Sequence, residues 1–143
     1  FKEIYLTSGA QSGKTLYLAA TEEGGSIGRG FVLQASNRPT PIAKVGRISS
    51  GVQTYQTLVS WTITSGKTGR LDEISLYVDD FSKALFQLTI AGTVQFTDQR
   101  FDAILTIPYA ENELASAAVV LLEVKSSDGT SIVANGSISG VER

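Results

Sequence analysis

Residues 70–96 read RLDEISLYVDDFSKALFQLTIAGTVQF, and through most of this stretch apolar and polar residues alternate. Ile74, Leu76 and Val78 share one parity, while Ser75, Tyr77 and Asp79 share the other. Phe86, Leu88 and Ile90 repeat the pattern after Asp80-Phe81-Ser82-Lys83, and Val94 and Phe96 repeat it after Ala91-Gly92. Successive side chains of a strand point to opposite faces, so a period of two broken by turn residues predicts three strands of an antiparallel sheet with one buried face. The apolar parity, Ile74 through Phe96, is assigned to one core. Ser75, Tyr77, Gln87, Thr89 and Gln95 are left for an outer face, where partner contacts would be made.

Other segments carry related patterns. Tyr55, Val59, Trp61 and Ile63 predict a strand that ends at the turn Ser65-Gly66-Lys67-Thr68-Gly69. Phe101, Ala103, Leu105 and Ile107 share a parity, predicting a strand over 101–107 that Pro108 closes. Residues 110–118, AENELASAA, are good helix formers and predict one or two helical turns. Residues 119–125, VVLLEVK, are apolar on both parities and predict a strand covered on both sides, with a longer helix through Glu123 as the competing reading. Ser127-Asp128-Gly129 is a turn signal, and residues 131–140 predict the last strand, where Asn135-Gly136 marks a second turn or a bulge. About seven strands at this spacing predict an all-β fold, an antiparallel β-sandwich or jelly roll.

Residues 1–50 have a different texture. KEIYLT, TLYLAA and FVLQA are candidate strands, but glycines at 24, 25, 28 and 30 interrupt them, and Ser36-Asn37-Arg38-Pro39-Thr40-Pro41 reads as a loop. Seven of the fourteen glycines fall here, so the segment is expected to be an irregular arm or a set of edge strands, with residues 51–143 forming the sandwich domain. Charge divides the same way: six basic and three acidic residues in 1–50 give +3, and six basic and eleven acidic in 51–143 give −5. A basic arm on an acidic body is compatible with one subunit lying on its neighbour's acidic surface, although fluctuation over a few residues gives the same count.

Composition narrows the chemistry. The 143 residues, 42% of them apolar, suffice for one domain with a real core. There is no cysteine and no histidine, which removes disulfides, thiolate nucleophiles, His-based triads and imidazole metal ligands. No apolar run reaches the ~18 residues a spanning helix needs. The net charge of −2 argues against non-specific nucleic-acid binding. Methionine is absent and Phe1 is bulky, so the natural chain is expected to begin upstream or to have been processed.

The remaining motifs are weak. Ser8-Gly9-Ala10-Gln11-Ser12-Gly13-Lys14-Thr15 imitates a phosphate loop, but serine stands where the first glycine belongs, and the strict alternation of 74–79 does not suit a buried parallel strand. Asp72-Glu73 and Asp79-Asp80 are adjacent acids on strands, which point apart and cannot flank one glycosidic bond; a Ca²⁺ role for Asp79-Asp80 competes with a solvated turn. Trp61 shares the parity of Val59 and Ile63 and is assigned to the core, not to a sugar-stacking platform. No catalytic residue, metal or cofactor site is assigned. The candidates for partner contact are Arg29, Arg38, Lys44, Arg47 and the aromatic Tyr77.

The stretches GKTGRLDEISLYVDD, FQLTIAGTVQF and FDAILTIPYAENELASAAVVLLEVKSSDGTSIVANGSISG, which cover a little over half the chain, resemble the small jelly-roll domains of tailed-phage virion proteins, especially head-decoration (cement) proteins. That resemblance implies a non-enzymatic virion protein on the capsid surface that binds the major capsid protein or other virion subunits and stabilises the shell. It implies a homo-oligomer, a trimer for preference, often with an extended arm that residues 1–50 would supply. It implies no nucleic-acid or membrane partner and no cofactor. The alternative is a carbohydrate- or receptor-binding β-sandwich, soluble or extracellular, and a remote one is nucleotide binding through the imperfect Gly-Lys-Thr loop.

Overall fold

A computed structural model describes residues 16–18, 31–33 and 38–143, of which 16–18, 31–33 and 110–112 are described through their backbone alone. The chain divides into two compact units, Phe1–Arg38 and Pro39–Arg143. In the first unit β1 (Leu16–Leu18) pairs antiparallel with β2 (Phe31–Leu33), inside two of the stretches expected to be strands.

The second unit holds eight strands: β3 (Thr40–Ser50), β4 (Gln56–Thr62), β5 (Gly69–Val78), β6 (Ala84–Ile90), β7 (Thr93–Gln99), β8 (Leu105–Leu114), β9 (Val119–Ser126) and β10 (Ile132–Glu142). They form two antiparallel four-stranded sheets, ordered β3-β10-β5-β8 and β4-β9-β6-β7. Within this unit only the β6–β7 hairpin joins neighbours in one sheet; every other connection crosses between the layers. Two four-stranded sheets interleaved in this way make an eight-stranded jelly roll.

The expected core is largely the observed one. Ile74, Leu76, Val78, Phe86, Leu88 and Ile90 are buried between the sheets with Trp61, Leu122 and Ile138. Burial of each such side chain stabilises the fold by about 1.5–3 kcal/mol. Two corrections follow from the topology. Residues 70–96 are not three strands of one sheet, because Asp80 caps a short 3-10 turn at Phe81–Lys83 that carries the chain from β5 across to β6 in the opposite layer. Val94 is not in the core: β7 is an edge strand with an irregular register against β6, and Val94 is exposed while Phe96 is half-buried against Phe101.

Further differences have local causes. The strand expected at 101–107 begins only at Leu105 and runs through Pro108 to Leu114. Proline is tolerated there because β8 is an edge strand whose pairing with β5 shifts register near that point. No helix forms at 110–118: the first half continues β8, and Ala115–Ala118 close a turn, with Ala117 at positive φ and Ala118 N–H donating to the Ala115 carbonyl. Strand pairing outweighs a helix propensity of a few tenths of a kcal/mol per residue, about the range the scale allows. β9 is buried on one parity only, and Leu121 on the other is half-buried. Asn135-Gly136 is neither turn nor bulge but the middle of β10. A Cβ on Gly136 would meet the Leu58 side chain at 2.9 Å, so glycine is there to let β4 pack close.

β3 was not legible because its apolar residues, Ile42, Val45 and Ile48, are three apart and break the period of two. Ile42 and Ile48 pack toward the core and Val45 points outward. Gly46 lies between them on the inner side, where an added Cβ would fall 1.8 Å from the Leu58 carbonyl oxygen.

One end of the sandwich is closed by a buried acid. Glu142 is 3% exposed, and its Oε1 accepts hydrogen bonds from Trp61 Nε1 at 3.0 Å and the Thr64 N–H at 3.1 Å. Lys67 stands 3.9 Å from Oε2. Burial pushes the Glu142 carboxyl up, but hydrogen bonds from Thr64 and Trp61, helped by the Lys67 charge, outweigh it and hold the group below its ordinary range.

Candidate contact surface

The outward parity of β10 is Val133, Asn135, Ser137, Ser139 and Val141, a strip of mostly small residues down the middle of the β3-β10-β5-β8 sheet. Its neighbours are placed by register. Asn135 stands opposite Arg47 on β3 and opposite Tyr77 on β5. Ser137 stands opposite Val45 and Ser75, and Ser139 opposite Ala43 and Glu73. On β8 Thr106 faces Ser75, with the two hydroxyl oxygens 3.2 Å apart. Ile104, just ahead of β8, lies beside the Tyr77 rung.

These residues enclose an open hollow of about 420 Å³. Asn135, Gly136, Ser137 and Ser75 form its floor, Val45 and Arg47 one wall, and Tyr77 and Ile104 the other. Val45 is 84% exposed, Ile104 66% and Tyr77 41%, three large apolar side chains on one sheet face. Tyr77 is braced edge-on by Phe81, ring centroids 6.1 Å apart, which fixes its orientation toward the hollow. Exposed apolar side chains gathered around a hollow mark interaction surfaces, whereas single ones need no explanation.

Of the five residues expected to touch a partner, Arg47 and Tyr77 are brought to opposite sides of this hollow on one rung, although thirty residues separate them in sequence. Lys44 is exposed on β3 but has the opposite parity, level with Ile138, so it does not share the face. Arg38 is exposed and belongs to the first unit, and Arg29 lies outside the described residues. Residue type alone missed Val45 and Ile104. The signal for Val45 was its break with the parity of Ile42 and Ile48.

The competing sites take shape less well. Trp61 is 1% exposed with its indole N–H bound to Glu142, which removes it as a sugar platform. Residues 74–78 pair antiparallel with β10 and 74–76 with β8, which is not the parallel sheet of a phosphate-loop fold, and the loop from Ser8 to Thr15 lies outside the described residues. Asp79 Oδ1 accepts from the Val133 and Asp80 N–H groups, and Asp80 Oδ1 accepts from the Ser82 N–H and hydroxyl. The Ser82 hydroxyl above all holds the Asp80 carboxyl below its ordinary value. Both acids thus serve the turn. Among the described residues no three His, Cys, Asp or Glu side chains gather as a metal site, and no helix is long and apolar enough to cross a membrane.

No protein-family model matches the chain, and no curated protein matches it. Among solved structures it is similar to the VP2 subviral particle of infectious bursal disease virus, at 16% identity and a TM-score of 0.42 over 87% of this chain and 37% of that one. It is also similar to the structure of the Gt strain of the same virus, at 16% identity and a TM-score of 0.36 over 96% of this chain and 41% of that one. The chain therefore spans well under half the length of either.

Proposed function

We propose that this protein is a non-enzymatic structural component of a viral particle, a jelly roll that binds and reinforces a capsid shell in the manner of a tailed-phage decoration protein. The observation that carries the reading is the outer face of the β3-β10-β5-β8 sheet, where Val45, Tyr77 and Ile104 stand exposed around a floor of small residues. Lectins and enzymes also use jelly rolls, so the fold is a weak guide and the reading is drawn from the face. A shallow, apolar, small-floored face suits the flat packing of one subunit on another. Its polar side chains, Arg47, Ser75, Asn135 and Ser137, lie along an open face and not around the enclosed cleft of a small-molecule site. Its apolar walls would supply the energy of association and Arg47 its orientation.

The test is addition of the purified protein to undecorated shells. Saturable, stoichiometric binding and a raised shell melting temperature are expected. An absence of binding from low to high salt would remove the proposal, and a glycan-array hit abolished by Tyr77→Ala would favour the carbohydrate-binding alternative.

A further inference from the structure

We infer that the hollowed face of the β3-β10-β5-β8 sheet pairs with the same face of a second copy about a two-fold axis through Ser137. The inference rests on reading this face as a subunit contact, names a second copy as its occupant, and leaves the shell to the other surfaces of the paired copies. Three observations carry it.

The first is charge. On the central rungs of the face stand one cation, Arg47, level with Asn135, and one anion, Glu73, level with Ser139. Neither takes part in an ion pair among the described residues, and Glu73 Oε1 only accepts from the Ser75 hydroxyl at 3.3 Å. Two strand spacings and four residues of rise separate them by about 16 Å, too far to pair within one copy. Ser137 is midway between their rungs. A two-fold axis there sets Arg47 of each copy over Glu73 of the other, so both exposed charges are answered twice by one operation.

The second is shape. Val45 stands as a knob beside a floor made of Ser137 and Ser139, two of the small side chains on the face. On the lattice of the sheet the same axis carries Val45 of one copy onto that floor in the other. The third is the axis itself, which passes close to the position beyond Tyr77 that Ile104 occupies. Ile104, 66% exposed in one copy, then packs against its own symmetry mate. An isologous contact requires a self-complementary patch, and opposite charges, knob and floor, and an axial apolar residue meet that requirement together.

The experiment measures sedimentation and uses the full chain: analytical ultracentrifugation over a concentration series, with circular dichroism to establish that each variant is folded. A monomer–dimer equilibrium is expected. Val45→Asp should weaken it by about a hundredfold, the scale of a contact residue made charged at the centre of an interface. Arg47→Glu and Glu73→Arg should each weaken it by about tenfold, and the double swap should restore it, because the reciprocal pairs re-form with reversed sign. A folded monomer at all concentrations, a trimer indifferent to these substitutions, or a double swap no better than the singles would overturn the inference. Shell binding is read separately. A monomer that decorates shells would leave the proposed function standing without the dimer, and a dimer that binds no shell would do the reverse.

Discussion

On the outer face of the β4-β9-β6-β7 sheet, Gln87 donates to Glu123 at 2.9 Å and accepts from Thr97 at 2.7 Å. At its end the Tyr55 hydroxyl donates to Asp98 at 2.8 Å and accepts from the Asp98 N–H at 2.7 Å, while Lys125 bonds the same carboxylate and lies 4.4 Å from the centre of the Tyr55 ring. Asp98 and Lys125 answer one another inside the chain: the hydrogen bond from Lys125, then that from Tyr55, holds the Asp98 carboxyl low, and the Asp98 bond raises Lys125. Across the core, the face of β3-β10-β5-β8 leaves Arg47 without an ion pair among the described residues and Val45, Tyr77 and Ile104 in water. The same fold thus carries one face that completes its own polar contacts and one that does not. Neither arrangement follows from the jelly roll, since both sheets obey the same inward and outward alternation. A face becomes a docking surface when its outward residues are small or apolar and have nothing of their own chain to bond.

The core between the faces offers the largest test of that contrast, because damage there must affect both alike. Gly46→Val would drive a side chain into the Leu58 carbonyl, and the sheets would have to separate to admit it. A loss of about 3 kcal/mol in denaturant unfolding is expected, at the upper end for overpacking. A loss below about 1 kcal/mol would mean the layers shift freely and that the flatness of the outer faces is not set from within.

Next in size is Glu142→Leu. It leaves the Trp61 and Thr64 donors buried without an acceptor, at a cost of about 2–3 kcal/mol. Acid should loosen the same end of the sandwich. The folded-state carboxyl of Glu142 lies below its ordinary value of 4.5, so its contribution to stability is complete above that pH and is lost as the pH falls through the lowered value. Asp80, Asp98 and Asp128 are also held low, from an ordinary value of 3.8, and their contributions too are lost as the pH falls below it. The difference between the wild type and Glu142→Gln, followed by Trp61 fluorescence, isolates Glu142. Parallel curves would show that its charge does not matter.

The two faces should then separate in their response to surface changes. Lys125→Ala removes one partner from the Tyr55–Asp98 cluster and should lower the melting temperature by about 1–4 °C, an effect that shrinks in high salt. Val45→Ser should shift it by less than about 1 °C while weakening self-association. The contrast collapses if Val45→Ser destabilises the isolated domain more than Lys125→Ala does, for Val45 would then be part of the fold.

Much of this architecture was legible in the residues. The alternation of β5 and β6 identified the inward side chains of both, Trp61 was assigned to the core from its parity alone, and Asp-Phe-Ser-Lys, Ala-Gly and Ser-Asp-Gly marked real turns. Arg47 and Tyr77 were singled out for their chemistry. That they stand on one rung was not legible, because Asn135 of β10 connects them from the far end of the chain. β3 escaped because its outward valine imitates a third core position, and the central glycine of β10 read as a turn because only the approach of Leu58 explains it.

Alternation is a property of a single strand, set by the geometry of successive side chains, so the residues alone mark which side chains of β5 and β6 face inward. Pairing and layering are properties of strands distant in the chain. Tertiary structure alone decided that β5 and β6 lie in opposite sheets, that β10 joins β3 to β5, and that two unrelated apolar residues, Val45 and Ile104, border one hollow. The physical reason is that hydrogen-bonded edges and buried faces select their partners by mutual fit, and that fit exists only once both partners are in place.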